Sequence, residues 1–279
     1  MMPIVFTSFQ KQKTSNAPAT KTNEIRCLEH DKPGSFVSPW DPSTRTRITE
    51  QLNGMKKQFP DLRAVEAGIF GDTGFASMMV SATSEDPHSH TGWWCNDKSA
   101  LAAFRKQVLE KYKTVKELNT AWQTSYPTSE DVTFPKGPSD GSKRRWLDFI
   151  AFYRSGISGL VQTNLEVLSQ LYPKAIRSVL IPAEEDDIKS GTDLASIMST
   201  AKSHDGVVRA VGLGKSGFAS SASGELGRLA GGAKAQGANL WFENAPSTSG
   251  IDIAERIFTA ISLDAKGWVD SPDNVLKFK

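Results

Sequence analysis

From residue 175 onward the chain repeats one pattern: a short apolar stretch, a turn, then a segment with helical spacing. Ala175–Ile181 reads as a strand, Leu194–Ser203 as a helix, Val207–Leu213 as a strand and Gly224–Gln236 as a helix. Ala238–Glu243, Ile251–Leu263 and Lys266–Val269 continue it as strand, helix and last short strand. A strand joined to the next through a helix returns parallel to it, so this beat predicts a parallel sheet covered by helices. A doubly wound sheet and a barrel both satisfy it.

The upstream half is less regular. Residues 9–34 are polar and read as a loop, so the chain divides into a polar segment, 1–35, and a sheet-and-helix domain, 36–279. Ser43–Phe59 has Ile48, Leu52 and Met55 at helical spacing, and Pro60 ends it. Leu62–Phe70 reads as a strand running into Gly71-Asp72-Thr73-Gly74, and Phe75 to Asn96 as a long irregular segment. Asp97 is placed to cap a helix reaching Tyr112. Thr114-Val115-Lys116-Glu117 is a capping box that opens another helix through Trp122. Arg144–Leu171 reads as a long helix closed by Pro173.

Composition removes several functions. With 33 basic and 31 acidic residues and a formal charge of +2, no extended basic face is available for nucleic acid. The run Lys143-Arg144-Arg145 opens a solvated helix face. No apolar run approaches the length of a membrane span. Two cysteines, Cys27 and Cys95, make no disulfide framework and fit a reducing compartment, so a cytoplasmic location is expected. His88, His90, Cys95 and Asp97 match no compact zinc spacing, and neither metal nor cofactor is implied. Gly212-x-Gly214-x-x-Gly217 has dinucleotide spacing but lacks a clear following helix and an acid closing the next strand.

In parallel α/β sheets chemistry lies at the carboxyl ends of strands, so carboxylates there are the first candidates. Glu243 ends the apolar strand Ala238–Glu243 and is followed by Asn244. A carboxylate in that position can attack an anomeric carbon. Asp72 lies just past another strand end between glycines. Glu66, on the same strand face by alternation, sits deeper as an interior charge that needs a partner such as Arg209. Glu184-Glu185-Asp186-Asp187 follows a third strand and reads first as a solvated acidic loop, second as a group that binds a cation or sugar hydroxyls. Trp93, Trp94, Trp241 and Trp268 offer faces for a sugar ring, with core packing as the alternative. His88, His90, Asn96 and Asn244 are candidates to hold hydroxyls.

Particular strings then point to a family. Asp97-Lys98-Ser99-Ala100-Leu101-Ala102-Ala103-Phe104-Arg105 resembles a helix of clan A glycoside hydrolases of the family 42 β-galactosidase type. Lys111-Tyr112, with Leu118-Asn119-Thr120-Ala121-Trp122-Gln123-Thr124 and Ser125-Tyr126, resembles that family's motif after the fourth strand. Arg145-Trp146-Leu147-Asp148-Phe149 is similar to the start of its next helix. The resemblance runs from about Ser38 to Asn274. It implies a (β/α)8 TIM barrel, a carbohydrate substrate and retaining hydrolysis by carboxylates on the fourth and seventh strands. Glu243 then corresponds to the nucleophile. Asp72 falls at the acid/base position, where the family has Asn-Glu and this chain Gly71-Asp72. Only strands four to eight are counted, preceded by part of strand three near Pro3–Phe6 or Phe36–Val37. The barrel is therefore expected to be incomplete, with a homo-oligomer or a completing chain as a way to close it.

Overall fold

A computed structural model describes residues 5–6, 24–67, 88, 90–182, 188–213, 221–244 and 250–269. Six strands form one parallel sheet: β1 (Val5–Phe6), β4 (Ala64–Ala67), β5 (Ile176–Pro182), β6 (Val207–Leu213), β7 (Asn239–Asn244) and β8 (Gly267–Val269). They lie side by side in chain order, every neighbouring pair parallel. This is the run of strands expected of a partial (β/α)8 barrel, and Val5–Phe6 supplies its first member. Phe36–Val37, the alternative, lies instead in β3 (Pro33–Val37), which pairs antiparallel with β2 (Glu24–Arg26).

Over residues 24–34 that hairpin corrects the reading as a loop. Among the polar residues of 24–32, Ile25 and Cys27 are fully buried. Residues 93–96 lie along β2: Cys27 bridges to Trp94, Leu28 N donates to Trp93 O (2.6 Å) and Asn96 N to Arg26 O (2.9 Å).

Crossovers between the parallel strands are helical: α1 (Thr44–Gln58) before β4, then α2 (Lys98–Tyr112), α3 (Val115–Trp122) and α4 (Lys143–Leu171) before β5. Three further helices, α5 (Leu194–Ser203), α6 (Ser221–Gln236) and α7 (Gly250–Ser262), precede β6, β7 and β8. The caps sit where the sequence places them. Asp97 Oδ1 accepts from Ala100 N (2.9 Å) and Thr114 Oγ1 from Glu117 N (3.2 Å). Each satisfies an amide that the first helical turn leaves open.

Strand alternation gives the sheet two unlike faces. Val65, Ala67, Val179, Ile181, Val208, Ala210, Leu240 and Phe242 are buried and belong to one continuous core. Between α2, α3 and α4 that core is largely aromatic: Phe104 meets Trp122, Phe134, Phe149 and Phe152 at ring-centroid distances of 5.0–6.2 Å. Trp40 stacks on Phe152 and reaches α4 at Gly156, where any Cβ would fall 2.5 Å from the indole.

The motif strings of α2 to α4 are polar locks. Asp148 is nearly buried and accepts from Tyr112 Oη and Lys111 Nζ (both 2.5 Å) and from Trp122 Nε1 (2.9 Å). Burial alone would raise its pKa; the bonds from Lys111, Tyr112 and Trp122 outweigh that and hold the carboxyl below the usual range. Asn119 clamps the turn after α3, donating to Tyr126 O and accepting from Tyr126 N and Thr124 Oγ1 (all 2.9 Å). A helix junction held by charged and amide groups inside aromatic packing requires these residue types.

Candidate active site

The second face of the sheet carries the polar groups. In-register pairing sets Glu66 of β4 beside Ser178 of β5, Leu180 of β5 beside Arg209 of β6, and Arg209 beside Trp241 of β7. Glu243, two residues beyond Trp241, shares this face near the carboxyl end of β7. Arg209 is almost wholly buried. Its Nη2 lies 2.9 Å from Glu66 Oε2, and its Nε lies 2.7 Å from Glu243 Oε2. The second contact is an ion pair whose N–H is not aligned for a hydrogen bond. Arg209 is therefore the partner that the interior charge of Glu66 requires, and it also joins that charge to Glu243.

The two acids occupy different surroundings. Glu66 has no exposed surface, whereas 26% of the Glu243 side chain is exposed. Burial pushes the Glu66 pKa up to about 7, against the lowering effect of Arg209; the charge of Glu243 adds to the rise and the Ser178 hydroxyl opposes it. Glu243 is thus the member of the set that a solute reaches.

Trp241 is half-buried on the same face and lies flat over β8. A Cβ at Gly267 would come within 2.6 Å of three indole atoms, so only glycine leaves room there. Trp268 is differently placed. It pairs with Phe242, packs against the core and lies on the helix-covered face, which corrects its reading as a candidate stacking face in favour of the packing alternative. Trp93 and Trp94 are corrected likewise. Trp93 is 7% exposed, with its ring against Trp146, Phe149 and Tyr153, and Trp94 is wholly buried. Neither offers an open face. Asn96 is engaged by the hairpin, its Nδ2 donating to Asp31 Oδ1 at 3.0 Å. Asp72, Glu184 and the side chain of Asn244 lie outside the described residues.

His90 belongs to another assembly. Cys27 and His30 from the hairpin meet His88 and His90, and one donor atom from each lies within 4.8 Å of all the others. Cys27 Sγ is 3.1 Å from His90 Nε2 and 3.4 Å from His30 Nδ1, and the two imidazole nitrogens are 3.3 Å apart. Tetrahedral zinc with N and S ligands holds its donors about 3.4–3.8 Å from each other, so this one-sulfur, three-imidazole set fits such an ion. Burial pushes the Cys27 thiol up to about 11 without a metal; a cation would reverse that by stabilising the thiolate. Cys95 and Asp97, weighed with His88 and His90 from sequence, are not in the set. Asp97 is a helix cap whose carboxyl burial raises to about pH 6. The missed signal was Cys27-x-x-His30, an ordinary ligand spacing some 60 residues from its partners.

A parallel sheet in chain order, with helices on one face and polar groups on the other, defines the class by its fold: part of a (β/α)8 barrel. The catalytic domain of a β-amylase from Paenibacillus polymyxa is similar over 96% of this chain and 75% of its own, with a TM-score of 0.76 at 14% identity. A β-galactosidase from the psychrophilic Marinomonas ef1 is similar over 89% of this chain and 40% of its own, with a TM-score of 0.63 at 13% identity. These likenesses establish the fold. More particularly, residues 77–201 match the glycoside hydrolase family 42 model, described as beta-galactosidase. A β-galactosidase of Geobacillus kaustophilus is 32% identical over 85 residues, 28% of this chain and 13% of that protein. The resemblance to family 42 β-galactosidases is shown over that segment, and the chain matches a small part of the curated relative's length.

Proposed function

We propose that this chain carries the catalytic face of a retaining glycoside hydrolase acting on a β-glycoside, with β-galactosides as the first substrate class to test. The observation that carries this is Glu243: a part-exposed carboxylate near the end of β7, paired with a buried arginine, on the same face as the half-buried indole of Trp241. A carboxyl group beside a guanidinium and an aromatic face suits a centre that gains oxocarbenium character.

In this reading the Asp72 carboxyl gives its proton to the glycosidic oxygen as the bond to the anomeric carbon breaks. Glu243 attacks that carbon and forms a glycosyl ester. Water then attacks the anomeric carbon, its proton passes to the Asp72 carboxylate, and the bond from that carbon to Glu243 breaks so that Glu243 leaves as carboxylate. Asp72 enters on its sequence position alone. A cytoplasmic setting belongs to the same proposal and suits two buried free thiols.

A second reading is a carbohydrate-binding chain of this fold without turnover. It is favoured by Gly71-Asp72 standing where the family has Asn-Glu. Aryl β-galactoside hydrolysis separates the two. Glu243→Gln is expected to lower kcat at least about 10³-fold with the fold intact, and a 2-deoxy-2-fluoro-glycoside is expected to label Glu243 in a peptide mass map. Sugar binding with no hydrolysis and no label would leave the second reading standing.

A further inference from the structure

We propose that Arg209 is a positioning residue for the Glu243 carboxylate, and that Glu66 is the buried anchor that sets how much of the Arg209 charge Glu243 receives. This deepens the glycosidase reading and rests on it for the reaction, but not for the charge coupling itself.

Nε and Nη2 lie on one edge of a guanidinium. Here that edge is divided between two carboxylates on different strands, Glu243 and Glu66. A fork of this kind usually closes on both oxygens of one acid. Dividing it fixes the Arg209 plane from behind, through a fully buried group, and sets Nε 2.7 Å from a carboxylate that solvent reaches. Nη1 is buried without an acceptor among the described residues.

The charges on this face reinforce the point. The described titratable groups here are Glu66, Arg209 and Glu243; Ser178 and Leu180 of β5, Trp241 of β7, and Gly267 and Val269 of β8 carry none. Helices α4 to α7 cover the opposite face. Among the described residues two acids share one guanidinium, so loss of charge at Glu66 gives Glu243 a larger share of the Arg209 charge. The carboxylate then becomes a weaker base and a weaker nucleophile. Loss of Arg209 has the opposite sign, because two acids then face each other and compete for one proton. An Arg209 that served only to neutralise the buried Glu66 would change stability and leave the Glu243 titration where it was.

Two conservative variants of the full chain test this. Arg209→Lys keeps the charge but cannot hold two acids on one planar edge; kcat is expected to fall about 10- to 100-fold with KM within about twofold. Glu66→Gln keeps the shape and an acceptor for Nη2. It is expected to cut kcat about 3- to 10-fold above pH 7, where Glu66 is ionised, and to leave kcat close to that of the parent at pH 5, where Glu66 already carries its proton. If either variant does not fold, Glu66→Gln combined with Arg209→Met removes both buried charges and should lose kcat as Arg209→Lys does. The side-chain carboxyl resonance of Glu243, followed by 13C NMR against pH, supplies a readout free of catalysis. A shift of that titration in Arg209→Lys, with loss in Glu66→Gln of the step near pH 7 that Glu66 ionisation imposes on the Glu243 resonance, supports the coupling even if no glycoside is hydrolysed, an outcome that defeats only the glycosidase reading. An active enzyme whose variants keep kcat, its pH dependence and the Glu243 titration overturns the inference.

Discussion

Glu66 is a carboxyl group whose folded pKa stands well above the ordinary 4.5, near 7, because burial outweighs the attraction of Arg209. For a group raised in this way, the folded state binds its proton more tightly than the unfolded chain. Its contribution to stability is fully present below about pH 4.5 and is lost as pH rises through about 7, a change of about 3 kcal/mol for a shift of this size. Asp97, raised to about 6, acts in the same direction. Urea unfolding at pH 5 and pH 8 is therefore expected to show a decline in stability that Glu66→Gln reduces. An unchanged decline in that variant would remove the burial account of Glu66. Alternation alone places Glu66 on the inner face. Its link to Glu243 was not legible, because it depends on register across β5 and β6, which no local spacing encodes. Trp93 and Trp94 show the complementary difficulty: an aromatic side chain has the same identity in a core as at a sugar site.

At the scale of elements, the helices and strands after residue 175 were legible because each carries its own period and its own punctuation. Leu194–Ser203 and Val207–Leu213 occur as read. The hairpin β2–β3 was not, since Glu24, Arg26, Glu29, His30, Asp31 and Lys32 conceal two buried side chains, Ile25 and Cys27. What holds so polar a ribbon is in part the meeting of Cys27 and His30 with His88 and His90. With zinc, that meeting would become a covalent clasp between the hairpin and the segment ahead of α2. Isothermal titration is expected to show one Zn2+ per chain, with a rise in Tm that EDTA reverses and His30→Ala abolishes. Cobalt substitution should give the visible bands of a tetrahedral site carrying one thiolate. No uptake at micromolar zinc would reduce the cluster to a hydrogen-bonded contact.

Across the whole molecule, one core runs from Ile25 and Cys27 of the hairpin through the aromatic layer of α2 to α4 and on to Ala260 of α7. The division at residue 35 therefore has no counterpart in the packing of the described residues: the hairpin shares the core of the sheet. Elements that share one core unfold together. Tryptophan fluorescence, reporting from Trp93 and Trp94 near the hairpin and from Trp241 and Trp268 at the far strands, should follow the same denaturant curve as far-ultraviolet circular dichroism. Separate transitions would mean that the hairpin or the β7–β8 end melts on its own.

The indole of Trp241 resting on bare backbone at Gly267 ties two positions in adjacent strands into a single unit of change. A methyl group at 267 evicts the ring, and a smaller residue at 241 opens a hole over the glycine. Neither position can drift alone, so kindred chains should keep both residues or exchange both at once.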